Sequence, residues 1–144
     1  MESLRPWGIL KKFNYRGSVH DLSFKVPLSR LPAIEAAVSD MAQKNNYPPA
    51  DIGGYFVVME RGRGIHCEFD MHSDPHNAAE QERIKKLWLA ASASLADRGA
   101  LFDRPYGDWA PMVYARAPEY ALKLKQIKQE MDPQGILNPG KLCF

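Results

Sequence analysis

His66, Glu68, Asp70 and His72 occupy alternate positions of residues 65–72, with Ile65, Cys67, Phe69 and Met71 filling the positions between them. This spacing puts the four polar groups on one face of a strand, about 7 Å apart, because a strand rises about 3.3 Å per residue and sends successive side chains to opposite faces. Three kinds of chemistry fit such a ladder. Alternate polar residues of an antiparallel strand commonly face water. Imidazole and carboxylate are also metal-ligand types, although ligands strung along one strand converge on an ion only with help from neighbours. Alternatively, His66 and Glu68 line a pocket closed by another domain, with Arg61 and Arg63 at its mouth.

The elements that would hold this strand follow from periodicity. Residues 18–26 alternate, with His20, Leu22, Phe24 and Val26 on one face, and predict a half-buried strand. After Pro27, Ser29 is placed to cap a helix carrying Leu31, Ile34, Val38 and Met41 at helical spacing, ending at Asn45-Asn46. Residues 46–54, with Pro48-Pro49 and Gly53-Gly54, predict a loop. Residues 55–60 predict a second strand, and Arg61-Gly62-Arg63-Gly64 a hairpin turn into the third. Asp74-Pro75, Asn77 and Glu80 signal the start of a long helix with Ile84, Leu87, Trp88, Ala91 and Leu95 as its buried stripe and Gly99 as its stop. Residues 100–114 read as a short strand, a turn and another extended piece. Pro118 opens a last helix with Tyr120, Leu124, Ile127 and Met131 on one face.

The order strand, helix, strand, strand, helix, strand, with a terminal helix and tail, predicts an α+β fold of the ferredoxin-like split βαβ type. Its antiparallel sheet carries helices on one face and leaves the other open. Residues 1–17 read as an irregular lead-in to a domain over residues 18–144. With 144 residues and 45% hydrophobic content the chain can bury a core, and its formal charge of +2 gives no field that would draw nucleic acid or an anionic membrane. An RNA-recognition domain shares the topology but displays closely spaced aromatics on its central strands, where this chain has His66, Glu68 and Asp70. Neither a membrane span nor a secretion signal is visible, so a cytoplasmic protein is expected. Cys67 and Cys143 are too few and too far apart for a disulfide framework or zinc knuckle, and reduced thiols are expected.

The end of the chain has a shape of its own. Asp132-Pro133 stops the last helix, and Asn138-Pro139-Gly140 suits a type II turn that aims Lys141 in a defined direction. Residues 132–141 resemble the C-terminal signature of FAD-linked oxidases of the vanillyl-alcohol oxidase and p-cresol methylhydroxylase type. Residues 55–74, with Glu60-Arg61-Gly62-Arg63 and His66-Cys67-Glu68-Phe69, are similar to the central hairpin of the cap domain in these oxidases. Residues 99–107 with Trp109 and Tyr114 are similar to the segment before its final helix.

This resemblance implies the substrate-side cap domain or subunit of an FAD-dependent oxidoreductase acting on a 2-hydroxy acid, alcohol or phenol. It implies Asn138 and Lys141 near the flavin, and a substrate pocket that includes Arg63, Glu68, Trp109 and Tyr114. Where phenol oxidases have a glycine, three residues and a tyrosine-arginine pair, this chain has Gly99, residues 100–102 and Asp103-Arg104. Arg104 therefore becomes the candidate for holding a carboxylate or oxyanion, Tyr106 offers a hydroxyl, and Asp103 stands where the tyrosine would be. The related 2-hydroxy-acid dehydrogenases hold a divalent metal between two histidines. Met59 replaces the first of them, which disfavours a metal and leaves His66 as an acid-base or orienting group. Because Arg61-Gly62-Arg63-Gly64 joins two strands, it is no phosphate loop. FAD would therefore be bound mainly by a separate FAD-binding domain or subunit. The alternative is a stand-alone ligand-binding or regulatory module that homodimerises through its sheet.

Overall fold

The computed structural model of the chain describes residues 17–142; residues 1–16 of the lead-in, with Cys143 and Phe144, lie outside it. The described chain divides into two compact units between Leu101 and Phe102.

In the first unit, β1 (Ser18–Pro27), β2 (Gly53–Met59) and β3 (Gly64–Ser73) form an antiparallel sheet in the order β1-β3-β2. The register sets Leu22 opposite Phe69, Phe24 opposite Cys67 and Val26 opposite Ile65, so the apolar face of β1 continues into that of β3. All six side chains are buried, together with Ile34, Ala37, Val38 and Ala42 of α1 (Leu31–Lys44) and Ile84, Leu87, Ala91 and Leu95 of α2 (Ala78–Asp97). A slip of one residue would turn every one of these side chains to the other face. At about 1.5–3 kcal/mol for each large apolar side chain buried, that penalty fixes the register.

Both ends of α2 follow the sequence signals. The Asn77 side chain accepts the Glu80 N–H at 3.1 Å, and the Glu80 carboxylate accepts the Asp74 N–H at 3.2 Å. Gly99 takes φ +86°, and the Ala100 N–H closes onto the Leu95 carbonyl at 3.0 Å. The start of α1 differs from expectation. A single 3-10 turn, Leu28–Arg30, precedes it, and Arg30 stands at the cap position without a side-chain cap bond, so Ser29 does not cap this helix. The β2–β3 turn begins one residue earlier than the glycines suggested, with Glu60 and Arg61 at positive φ ahead of Gly62.

The fourth strand is reduced to one residue. Lys25 and Leu101 exchange two backbone hydrogen bonds, of 2.9 and 2.8 Å, and the pairing stops there. Pro105, which has no N–H, follows closely. Further along β1, the Trp88 indole donates to the Asp21 carbonyl at 2.7 Å, so a side chain serves the edge where a strand would have paired. The sheet's second face is not open throughout. Asp70 and His72 are buried, and the Tyr47 hydroxyl accepts the His72 N–H at 2.8 Å.

The second unit contains α3 (Trp109–Tyr114), α4 (Pro118–Met131) and the tail. Residues 109–114 are helical rather than extended. Pro111 sits in the first turn, where the missing N–H costs nothing, whereas a strand ladder would have needed it. Trp109 packs on Phe102 with ring centroids 4.8 Å apart.

Asp132, at the end of α4, accepts from the Lys128 ammonium and from the Ile136 and Leu137 N–H groups, both at 2.9 Å. Lys128 also donates to the Leu137 carbonyl at 2.7 Å. The tail is thus folded back onto the last turn of the helix. The Lys128 hydrogen bond, reinforced by the Leu137 and Ile136 amides, holds the Asp132 carboxyl below the usual carboxylate range.

Two outcomes are expected. A carboxylate whose folded pKa is depressed stabilises the fold above its ordinary pKa of about 3.9 and loses that contribution as pH falls through the lower folded value. The Ile136 and Leu137 amides should therefore exchange slowly at neutral pH and lose protection in acid. In Asp132→Asn they should exchange fast throughout, and equal protection in both proteins would refute the clamp. Separately, burial pushes the Cys67 thiol up to about 11, with the Glu35 carboxylate adding to it. Peptide mapping after alkylation near pH 8 should find Cys67 unmodified until the protein is denatured.

Candidate functional site

Two groups of side chains have the chemistry of a site, one in each unit. On the polar face of β3, the His66 imidazole nitrogen Nε2 lies 3.1 Å from Glu68 Oε1, and each side chain keeps 19% of its surface exposed. Cross-strand neighbours frame the pair: Lys25 and Val57 flank His66, and Ser23 and Tyr55 flank Glu68. A carboxylate on Nε2 favours the tautomer with its proton there and leaves Nδ1 as the acceptor. The pair can therefore take a proton from, or return it to, a hydroxyl that reaches Nδ1.

Farther along the same face the groups are enclosed. Asp70 lies opposite Asp21 on one side and Gly53 on the other, where a Cβ would come within 3.3 Å of the Asp70 side chain. On the opposite, helix-bearing face, His20 stands across from Met71 with its ring nitrogen 3.0 Å from the Ser73 hydroxyl, and is held below the ordinary histidine pKa by burial and by the neighbouring His72. Among the described residues, no three His, Cys, Asp or Glu side chains are grouped to hold a metal ion.

Arg63 is exposed at the start of β3, where its Nε donates to the Glu60 carbonyl at 3.3 Å. It lines a cleft of about 390 Å³ with Lys25, Met59, Glu60 and Leu101; His66 and Glu68 do not line it.

The second unit gathers three of the residues singled out in the sequence. Tyr106, Asn138 and Lys141 line one cleft of about 780 Å³, whose apolar wall is Leu124, Ile127, Met131 and Leu137. Backbone bonds hold the polar rim. The Tyr106 N–H bonds the Arg104 carbonyl across Pro105 at 2.8 Å, and the Gly107 N–H reaches the Lys141 carbonyl at 3.4 Å. At the tail, Lys141 N–H donates to the Asn138 carbonyl at 3.3 Å, with Gly140 at φ +71°, as the type II turn requires.

Arg104 is exposed two residues before Tyr106. Trp109 is occupied by its stacking on Phe102 and does not line this cleft. Tyr114 lies 6.5 Å from the Tyr120 ring and lines a separate cleft with Pro118 and Leu122. Sequence reasoning missed the part played by Lys128 and Asp132, which fold the tail and so shape the cleft; the signal was a Lys and an Asp at i,i+4 at a helix end.

Among the described residues no helix is long and apolar enough to cross a membrane. No curated protein and no solved structure matches the chain. The family model for FAD linked oxidases, C-terminal domain, matches residues 110–142, which takes in α3, α4 and the folded tail and leaves the sheet outside the match. By its sequence, then, the segment that carries Asn138, Lys141 and the apolar wall of the cleft is similar to the C-terminal domain of FAD-linked oxidases, a family whose enzymes use FAD.

Proposed function

We propose that this chain is the substrate-side cap of an FAD-dependent oxidoreductase that acts in the cytoplasm on a hydroxylated small molecule, a 2-hydroxy acid, alcohol or phenol. A separate domain or subunit supplies most of the FAD site. The observation that carries this reading is the cleft in the second unit: within the family-matched segment, an apolar wall on α4 meets the Asn138 amide and the Lys141 ammonium.

The cleft residues suit one part of FAD. Leu124, Ile127, Met131 and Leu137 match the apolar edge of a flat aromatic ring, while Asn138 and Lys141 offer hydrogen bonds and positive charge to its polar edge. Nothing comparable is offered to the diphosphate, since the glycine-rich turn at Gly62 joins two strands instead of opening a helix. When bound, the flavin would accept a hydride from the carbon that bears the substrate hydroxyl.

The chain's own groups then have three tasks. Arg104 holds a substrate carboxylate or oxyanion through its planar fork of donors, with Tyr106 adding a hydroxyl. Within the first unit, His66, oriented by Glu68, is suited to take a proton from a hydroxyl that reaches Nδ1. Lys141, fixed by the Asn138 turn and the Asp132 clamp, contributes positive charge where the flavin ring would gain electrons. The resemblance also implies substrate contacts for Arg63, Trp109 and Tyr114, each of which lies outside the cleft of Asn138 and Lys141.

The decisive test combines the chain with its FAD-binding counterpart and follows bleaching of the flavin absorbance as hydroxylated substrates are added. Reduction that requires both components is expected; no complex and no reduction at micromolar concentrations would sink the proposal. In the same assay Arg104→Ala should lower kcat/KM by about 10- to 100-fold, the size of a lost charge-assisted hydrogen bond. Because Arg104 is exposed, its circular dichroism and melting temperature should stay unchanged; retained activity would remove it from the site.

A further inference from the structure

β2 is an edge strand of an unusual kind: its residues Gly53–Met59 include no charge and no proline. Natural edge strands are ordinarily protected by such residues, by a bulge or by a covering element. On the helix-bearing face of β2, Phe56 keeps 37% of its surface exposed and Val58 keeps 61%, whereas the core-facing residues of β1 from Leu22 onward and of β3 from Ile65 are buried. The Phe56 ring is nonetheless held in place, edge-on to Phe69 with centroids 5.4 Å apart.

We infer that the β2 edge pairs with β2 of a second copy of this chain, antiparallel about a two-fold axis at Phe56, giving one continuous six-stranded sheet. The strand is complementary to itself in that register. Phe56 meets Phe56 of the second copy on the helix-bearing face, where Val58 falls opposite Gly54; on the other face Met59 falls opposite Gly53 and Tyr55 opposite Val57. Large side chains thus face glycines at both ends, and an isologous contact repeats each match twice. Backbone donors and acceptors on the strand edge supply the main-chain bonds. This contact is edge to edge and independent of the proposed flavin chemistry.

Sedimentation of the full chain over a concentration series tests the inference. The mass should rise from 16.3 kDa towards twice that value, and Val58→Lys, at an exposed position, should weaken association by about tenfold or more. The inference is overturned if the wild type keeps the single-chain mass throughout, or if Val58→Lys associates normally. Amide protection of β2 that arises only on adding the FAD-binding component would assign the edge to that partner instead, and would equally overturn it.

Discussion

A strand hydrogen-bonded on both sides can act on its surroundings only through side chains, and β3 is in that position in the first unit. β1 and β2 both pair with it, so its backbone is committed along most of its length. Its alternation then decides everything else. Ile65, Cys67, Phe69 and Met71 form the middle of the core, and the same periodicity sends His66, Glu68, Asp70 and His72 to the opposite face. The chemistry of that face is graded along the strand. His66 and Glu68 remain accessible and touch each other, while Asp70 and His72 are buried. A pair that is both accessible and mutually oriented can exchange a proton with a ligand; enclosed groups serve the fold.

The second unit depends on a different device. Little of α4 is buried, and its apolar residues are largely exposed, so hydrophobic burial alone would not fix the chain beyond Met131. The Asp132 carboxylate does so by binding two backbone amides and the Lys128 ammonium at once. Hydrogen bonds to a charged acceptor are stronger than neutral ones, and several of them on one carboxylate fix direction as well as distance. The apolar side of α4 thereby becomes one wall of a cleft, and the turn at Asn138 and Gly140 becomes its polar rim.

Much of this was legible in the sequence because periodicity reports which residues share a side. The strands, the two long helices, the Asn77 cap and the Gly99 stop all carry local signals, and each stands close to where those signals put it. Periodicity does not report what lies on the other side. Hence the alternation on β3 reads as one polar face, although half of the ladder is buried, and residues 100–114 read as a short strand, a turn and an extended piece, although only Leu101 pairs. Residues 109–114 read as extended but are helical, since Pro111, which rules out a strand ladder, is harmless in the first turn of a helix. Asp132 was read as part of a stop signal, yet its carboxylate holds the tail. Of the candidate site, Tyr106, Asn138 and Lys141 share a cleft in the structure, but their selection came from resemblance to a family motif. Spacing alone gives no reason to join residues 106 and 141.

The two kinds of local order also divide the proposed labour. A sheet face offers groups at fixed spacing on a stiff support, which suits a proton-transfer pair whose geometry must not drift. A clamped tail offers a short turn that can be shaped residue by residue, which suits recognition of a ring edge by one amide and one ammonium. Neither supplies the many convergent backbone N–H groups that a diphosphate needs. A chain built from these parts can position and polarise a substrate and touch a flavin at one edge. The greater part of a dinucleotide requires a surface of another kind, and on that physical ground the proposed enzyme divides its cofactor from its substrate between two structures.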